Sequence, residues 1–167
     1  YIINGGKTLW MIENVQADTD SLYTNGSMLA YPRDLNLTDF FFAYGLRVNA
    51  TLLQDLYAAK IPLATGNLGN KPQFQNLSWF YHPLVLGNPN HAISKNILPV
   101  RLRFANQIDT LQNNLKKTPL LMSSMLTKKV GTPAIIGLNS IAKEPKEEEY
   151  STGFQITGLL TEGVFNS

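Results

Sequence analysis

Residues 35–45 write both ends of a short helix into the sequence, and residues 46–49 must then leave it as extended chain. Asn36 suits the N-cap, and Asp39, three residues on, places its charge where a helix N-terminus favours it. Leu35 and Phe40 are spaced for a hydrophobic staple. Gly45 follows the last periodic residue as a left-handed cap, and Leu46 is placed to fold back on Phe41. Leu37, Phe40, Phe41 and Tyr44 share one apolar helical face. This junction is strongly specified, yet it carries no catalytic group.

The flanking sequence gives an α/β front and a β-rich rear. Four consecutive apolar residues, Leu9 to Ile12, follow Gly5-Gly6 and read as a strand covered on both faces, as in a parallel sheet. Residues 15–33, rich in Asp, Thr, Ser and Asn with an Asn25-Gly26 turn signal, read as a long surface loop. Residues 60–65 and 73–86 are strand-like, with a loop expected over 66–72. Pro83 confines its segment to an edge or a strand end. The alternation over 100–104 predicts a strand with Arg101 and Arg103 on one face. A short helix is expected at 108–115, strands at 119–126 and 154–160, a loop at 128–132, and a charged, solvated excursion at 143–149.

A chain of 167 residues with 44% apolar residues can bury a core, and one domain is the simplest account. A net charge of +2 is too weak to argue for nucleic acid, and no such partner is expected. No apolar run approaches the roughly 20 residues of a membrane-spanning helix. The absence of cysteine excludes disulfides, thiolate metal sites and a cysteine nucleophile within these residues. The opening Tyr1-Ile2-Ile3-Asn4-Gly5-Gly6 resembles the last turn of a helix, so the chain reads as a fragment of a longer protein.

Chemistry-bearing residues are sparse. His82 and His91 sit beside turn-forming residues without carboxylate or thiolate neighbours, so a structural role is the simpler reading and no metal site is expected. Asp18 and Asp20 form the most enzyme-like pair, able in principle to hold Mg²⁺ or to serve as nucleophile and acid. A polar turn cluster explains them more simply. Arg101 and Arg103, with Lys116 and Lys117, could form a basic contact surface, and ordinary surface charge is the competing account. Trp79 and Tyr81, with Phe74 and Phe80, could form an aromatic platform, though aromatics at this density more often pack a core.

Several runs also resemble a known family. They are Asn4-Gly5-Gly6-Lys7, the segment Tyr31-Pro32-Arg33-Asp34-Leu35-Asn36-Leu37, and Phe42-Ala43-Tyr44-Gly45-Leu46-Arg47-Val48-Asn49. Further on come Leu53-Gln54-Asp55, then Trp79, Tyr81 and Pro83, then His91-Ala92-Ile93-Ser94-Lys95-Asn96-Ile97. Lys117-Thr118-Pro119-Leu120-Leu121-Met122-Ser123-Ser124 and residues 159–167 complete the set. The chain resembles the GldG component of gliding-motility ABC transporters, within the wider group of auxiliary ABC-transport domains. Ala92 departs from the proline expected after the histidine.

The resemblance implies a Rossmann-like sheet similar to class I glutamine amidotransferases, of which these residues would supply the later strands. It implies a soluble, non-catalytic part of a membrane-anchored protein on the periplasmic face of the bacterial inner membrane, beside a permease and an ATPase, without a cofactor. The amidotransferase nucleophile has no counterpart among these residues, and the resemblance supplies no catalytic residue. Contacts are expected through Trp79, Tyr81, His91, Arg101 and Arg103. Two other readings stay open: a small-molecule or glycan binder using Trp79 to Tyr81 with residues 15–33 as a lid, and a metal-dependent hydrolase using Asp18 and Asp20.

Overall fold

The computed structural model describes residues 1–165. Asn166 and Ser167, which end the last run of the family resemblance, lie outside the described residues. A 3-10 turn at Ile2–Asn4 precedes β1 (Val15–Gln16), α1 (Thr19–Asn25), β2 (Ser27–Pro32), α2 (Thr38–Ala43), β3 (Leu46–Val48) and β4 (Thr51–Asp55). The long pair β5 (Ala58–Leu68) and β6 (Lys71–Gly87) follows. The chain continues through β7 (Val100–Arg101), β8 (Ile108–Thr110), β9 (Lys116–Met122), β10 (Thr127–Gly131), β11 (Ala134–Gly137) and β12 (Ile156–Glu162). Two further 3-10 turns, Leu138–Ala142 and Glu147–Glu149, lie between β11 and β12.

The strands form four antiparallel assemblies, not the expected Rossmann-like, amidotransferase-like α/β sheet. They are β1-β2-β11, β10-β4, β3-β8, and β12-β9-β6-β5 with β7 added to β6. The physical reason is in the connections. Parallel neighbours need a crossover of a dozen or more residues, usually a helix. Here α1 and α2 have seven and six residues, and α1 joins two strands that pair antiparallel. The apolar run Leu9 to Ile12 is correspondingly not a buried strand: Leu9 and Met11 are 85% and 90% exposed. Trp10 alone finds aromatic company, 5.3 Å from Phe40 and 5.7 Å from Phe41 between ring centroids.

Local chemistry explains the other departures. Residues 15–33 are ordered into β1, α1 and β2 because Asp18 caps the helix and Gly26 ends it in the left-handed region at φ 70°. Asn36 is not the cap of α2; it takes φ 53°, and its N–H donates to Asp34 Oδ1 at 3.0 Å in a tight turn that asparagine tolerates. Leu37 occupies the cap position without a side-chain bond. Gly45 at φ 71° makes the exit from α2, and its N–H donates to Phe42 O at 2.9 Å. β3 then follows as expected. Residues 108–115 hold strand β8 rather than a helix, and residues 128–132 fall largely in β10, paired rung by rung with β4.

One core joins these assemblies. Val15, Leu22, Met28, Ala30, Leu52, Ile61, Trp79, Tyr81, Phe104 and Ile136 pack as a single cluster, drawn from α1, from strands of three assemblies and, through Phe104, from the segment after β7. Asp55, at the end of β4, is fully buried and locks the Ser123–Ser124 turn. Its Oδ2 accepts from Ser124 N at 2.7 Å, while Oδ1 accepts from Ser124 Oγ at 2.6 Å and from Tyr57 N at 2.8 Å. A buried carboxylate needs such partners.

Truncating Trp79 to alanine is expected to cost about 3–5 kcal/mol, as for large core aromatics. Phe74→Ala, on the same strand but 62% exposed, is expected to cost no more than about 0.5 kcal/mol. Urea denaturation of both variants, read at unchanged slope, checks the contrast.

Candidate functional site

β5 and β6 pair from Ala58 to Leu68 against Pro83 to Lys71, and the two ends of this ladder differ in kind. At the inner end Ile61, Trp79 and Tyr81 are buried and Leu63 packs against the core. Beyond it, on both faces of the ribbon, the side chains of residues 64–67 and 71–76 stand in solvent. Gly69-Asn70 makes the turn, with Gly69 at φ 64° as the first central position of a type II′ hairpin needs. Counted from Pro62, the arm reaches roughly 20 Å at about 3.3 Å per residue. Residues 62–76 carry one charge, Lys71, among Asn, Gln, Thr and Gly. A two-stranded ribbon exposed on both faces is marginal in water on its own.

The sequence hid this arm because Gly, Asn and Pro over 66–72 have loop composition. Its usable signal is the Gly69-Asn70 dipeptide, which joins two strands directly. The free edge of β5 is also blunted. Lys60 and Pro62 are exposed on it, and register shifts fall between Ala58 and Lys60 and between Ala64 and Gly66. Lysine, proline and bulges are the devices by which sheets resist edge-to-edge pairing. The arm therefore presents its faces and tip.

The expected aromatic platform lies inside the molecule. Trp79 is 1% and Tyr81 6% exposed, with ring centroids 5.3 Å apart, so neither offers a free face to a ligand. Burial pushes the Tyr81 hydroxyl above its usual range. His82 is buried as well, 5.3 Å from Phe104 between ring centroids. An Arg101 Nη lies 2.8 Å from His82 Nδ1. A guanidinium can only donate, so Nδ1 accepts and the ring proton sits on Nε2, which has no partner. The imidazole is thus held neutral. Burial first, then the charges of Arg101 and Arg103, push its pKa down to about 4.

Arg101 and Arg103 are themselves exposed. They do not form one patch with Lys116 and Lys117: Arg101 faces Leu84 on β6, and Lys116 lies six residues along β9 from Met122, which faces Leu86. The separation is roughly 20 Å along the strand. Lys116 pairs with Glu162 at 3.6 Å, and Lys117 donates to Asn113 Oδ1. His91 closes the turn after β6, its Nδ1 accepting from Ile93 N at 3.3 Å.

Arg103 instead borders a shallow recess of about 220 Å³ with Glu13, Asp18 and Asp20. The Asp18 carboxylate accepts three hydrogen bonds there as a helix cap. Oδ1 accepts from Asp20 N at 3.2 Å, and Oδ2 accepts from Ser21 N at 2.9 Å and Ser21 Oγ at 2.5 Å. The Ser21 bonds hold its pKa below the usual carboxylate value. Among the described residues, no group of three or more His, Cys, Asp or Glu is placed to hold a metal ion. Among them, too, no helix is long and apolar enough to cross a membrane.

The family model described as an ABC-type uncharacterized transport system matches residues 1–167. No curated protein and no solved structure matches the chain.

The two polar centres give separate expectations. Because His82 titrates lower in the folded chain than its unfolded value of about 6.5, the unfolded state binds the extra proton between pH 6.5 and 4. Stability is full above that window and falls as pH drops through it, by about 3 kcal/mol at about 1.4 kcal/mol per pH unit. His82→Gln should flatten this part of the profile of unfolding free energy against pH. Asp18→Ala should lower the melting temperature, whereas Asp18→Ser, which keeps a capping oxygen, should restore most of it.

Proposed function

The chain belongs to the ABC-type uncharacterized transport system family, and from that premise we propose that it is a non-catalytic binding and scaffolding domain whose β5–β6 arm reaches another component of the transporter. Its family role is that of an auxiliary component of an ABC-type transport system. The finer reading is a domain of a gliding-motility system of the GldG kind, in a membrane-anchored protein, working on the periplasmic face of the inner membrane with a permease and an ATPase. The observation that carries the proposal is the arm. A ribbon exposed on both faces, with an edge blunted against other strands, is suited to insertion into a partner's groove.

The polar residues support a binding role over a chemical one. Asp18, the strongest hydrolase candidate, spends its oxygens on α1, and Ser123 and Ser124 spend theirs on the turn locked by Asp55. Arg101 and Arg103 give the body a second, charged contact region, with Arg101 braced by the neutral His82 ring. His91 shapes the turn nearby in sequence to this strand end. Trp79 and Tyr81 serve the same purpose from inside, by anchoring the root of the arm.

The test is to shorten the arm without disturbing its root. Excising residues 65–68 and 71–73 while keeping Gly69-Asn70 leaves Ala64 opposite Phe74, as in the parent ladder. The shortened chain, placed in its full-length protein, should retain its melting temperature within a few degrees and lose co-purification with the permease and ATPase. Undiminished recovery of both subunits would overturn the proposal.

A further inference from the structure

α1 lies against the β1–β2 ladder, and between them the surface opens into a recess of about 450 Å³. The recess is open to solvent and not an enclosed cavity. Ser21 and Asn25, one turn apart on α1, form one wall. Gln16 of β1, Asp18, and Ser27, Met28, Leu29 and Tyr31 of β2 supply the rest.

The chemistry of this lining selects its ligand by elimination. The lining contains no lysine or arginine, and the one guanidinium beside it, Arg33, is engaged by Gln16 Oε1 and lies 4.0 Å from Glu13, which leaves little to hold an anion. Its single carboxylate, Asp18, already accepts three hydrogen bonds as the cap of α1 and has little left for a cation. That same cap satisfies the first N–H groups of the helix, so the helix end is not what would bind. An apolar molecule would cover the amides and hydroxyls without replacing their hydrogen bonds to water, which is costly. What remains is a neutral molecule with hydroxyls on its rim and C–H groups on its face.

The side chains present the matching groups. Within the described residues, the Asn25 amide, the Ser27 and Tyr31 hydroxyls and Gln16 Nε2 make no hydrogen bond to the chain, while Gln16 Oε1 is taken by Arg33. Amides and hydroxyls can both donate and accept, as sugar hydroxyls do. Tyr31 is 48% and Leu29 56% exposed, two residues apart on the strand and so on one face of the sheet. They offer an aromatic ring and an aliphatic neighbour to the C–H face of a pyranose. We propose that this recess is a binding site for a neutral saccharide. The site is separate from the arm and does not depend on the partner-binding proposal. It also differs from an aromatic platform at Trp79 and Tyr81, whose rings are buried.

The experiment is a nitrogen-15 NMR titration of the chain with cellobiose, maltose and N,N′-diacetylchitobiose, each carried to roughly 20 mM because a shallow site of this kind binds in the millimolar range. Inorganic phosphate serves as the anionic control. At least one disaccharide should produce saturable shifts confined to residues 16–31. Tyr31→Ala and Asn25→Ala, both surface changes, should each weaken that binding by about tenfold, equivalent to about 1.4 kcal/mol, with the rest of the spectrum unchanged. Absence of saturable shifts with all three disaccharides would overturn the proposal. So would saturation that neither variant weakens, or a larger response to phosphate than to any sugar.

Discussion

The fold depends on one strand that changes environment along its length. β6 runs 17 residues, and its buried residues begin only at Trp79. From there Trp79, Tyr81, His82, Pro83 and Val85 are enclosed, while residues 71–76 are exposed. Three partners take it in turn: β5 along the arm and its root, β7 at Leu84 and Val85, and β9 at Leu86 and Gly87. A slip of one residue would turn Trp79 and Tyr81 out of the core and reverse every face of the arm. The burial of those two aromatics is therefore what aims the arm. Burying them contributes several kilocalories per mole, on the scale of about 25 cal/mol per Å² of apolar surface.

His82 shows how the same strand supports the charged surface. Its ring is packed against Phe104, and its lone acceptor nitrogen meets Arg101 from the neighbouring β7. A neutral imidazole can brace a guanidinium without cancelling its charge. Arg101 thus stays available at the surface while its position is set from the core.

Legibility of the sequence followed local against non-local chemistry. The extended exit after Gly45 and the closing strand near 156–160 were readable because glycine caps and alternation act within a few residues, whereas of the strand expected over 100–104 only Val100–Arg101 forms and Phe104 takes φ 52°. The antiparallel pairing of the sheets was not readable. Four apolar residues from Leu9 to Ile12 look the same whether a sheet encloses them or solvent does, and pairing partners decide that from far along the chain. Asp18 capping Thr19–Asn25 was legible in principle, but the surrounding Asp, Thr and Ser also spell a turn. The arm was hidden for the opposite reason: its Asn, Gln and Gly residues read as loop, and only the register between β5 and β6 reveals a ribbon. The site residues named from sequence divide along the same line. Arg101 and Arg103 reach the surface, whereas Trp79 and Tyr81, equally attractive as a string of letters, form its foundation.

Within an auxiliary component of an ABC-type transport system, the role proposed for the blunt-edged arm is to hold the domain against another component. The most direct measurement is site-specific photocrosslinking in cells producing the full-length protein. A crosslinking residue replaces Phe74 on the arm or, for comparison, Tyr57, which is also exposed but lies before the arm begins. The account predicts a permease adduct from position 74 that is absent or far weaker from position 57. Adducts from position 57 with none from position 74 would contradict it and move the contact surface from the arm to the body.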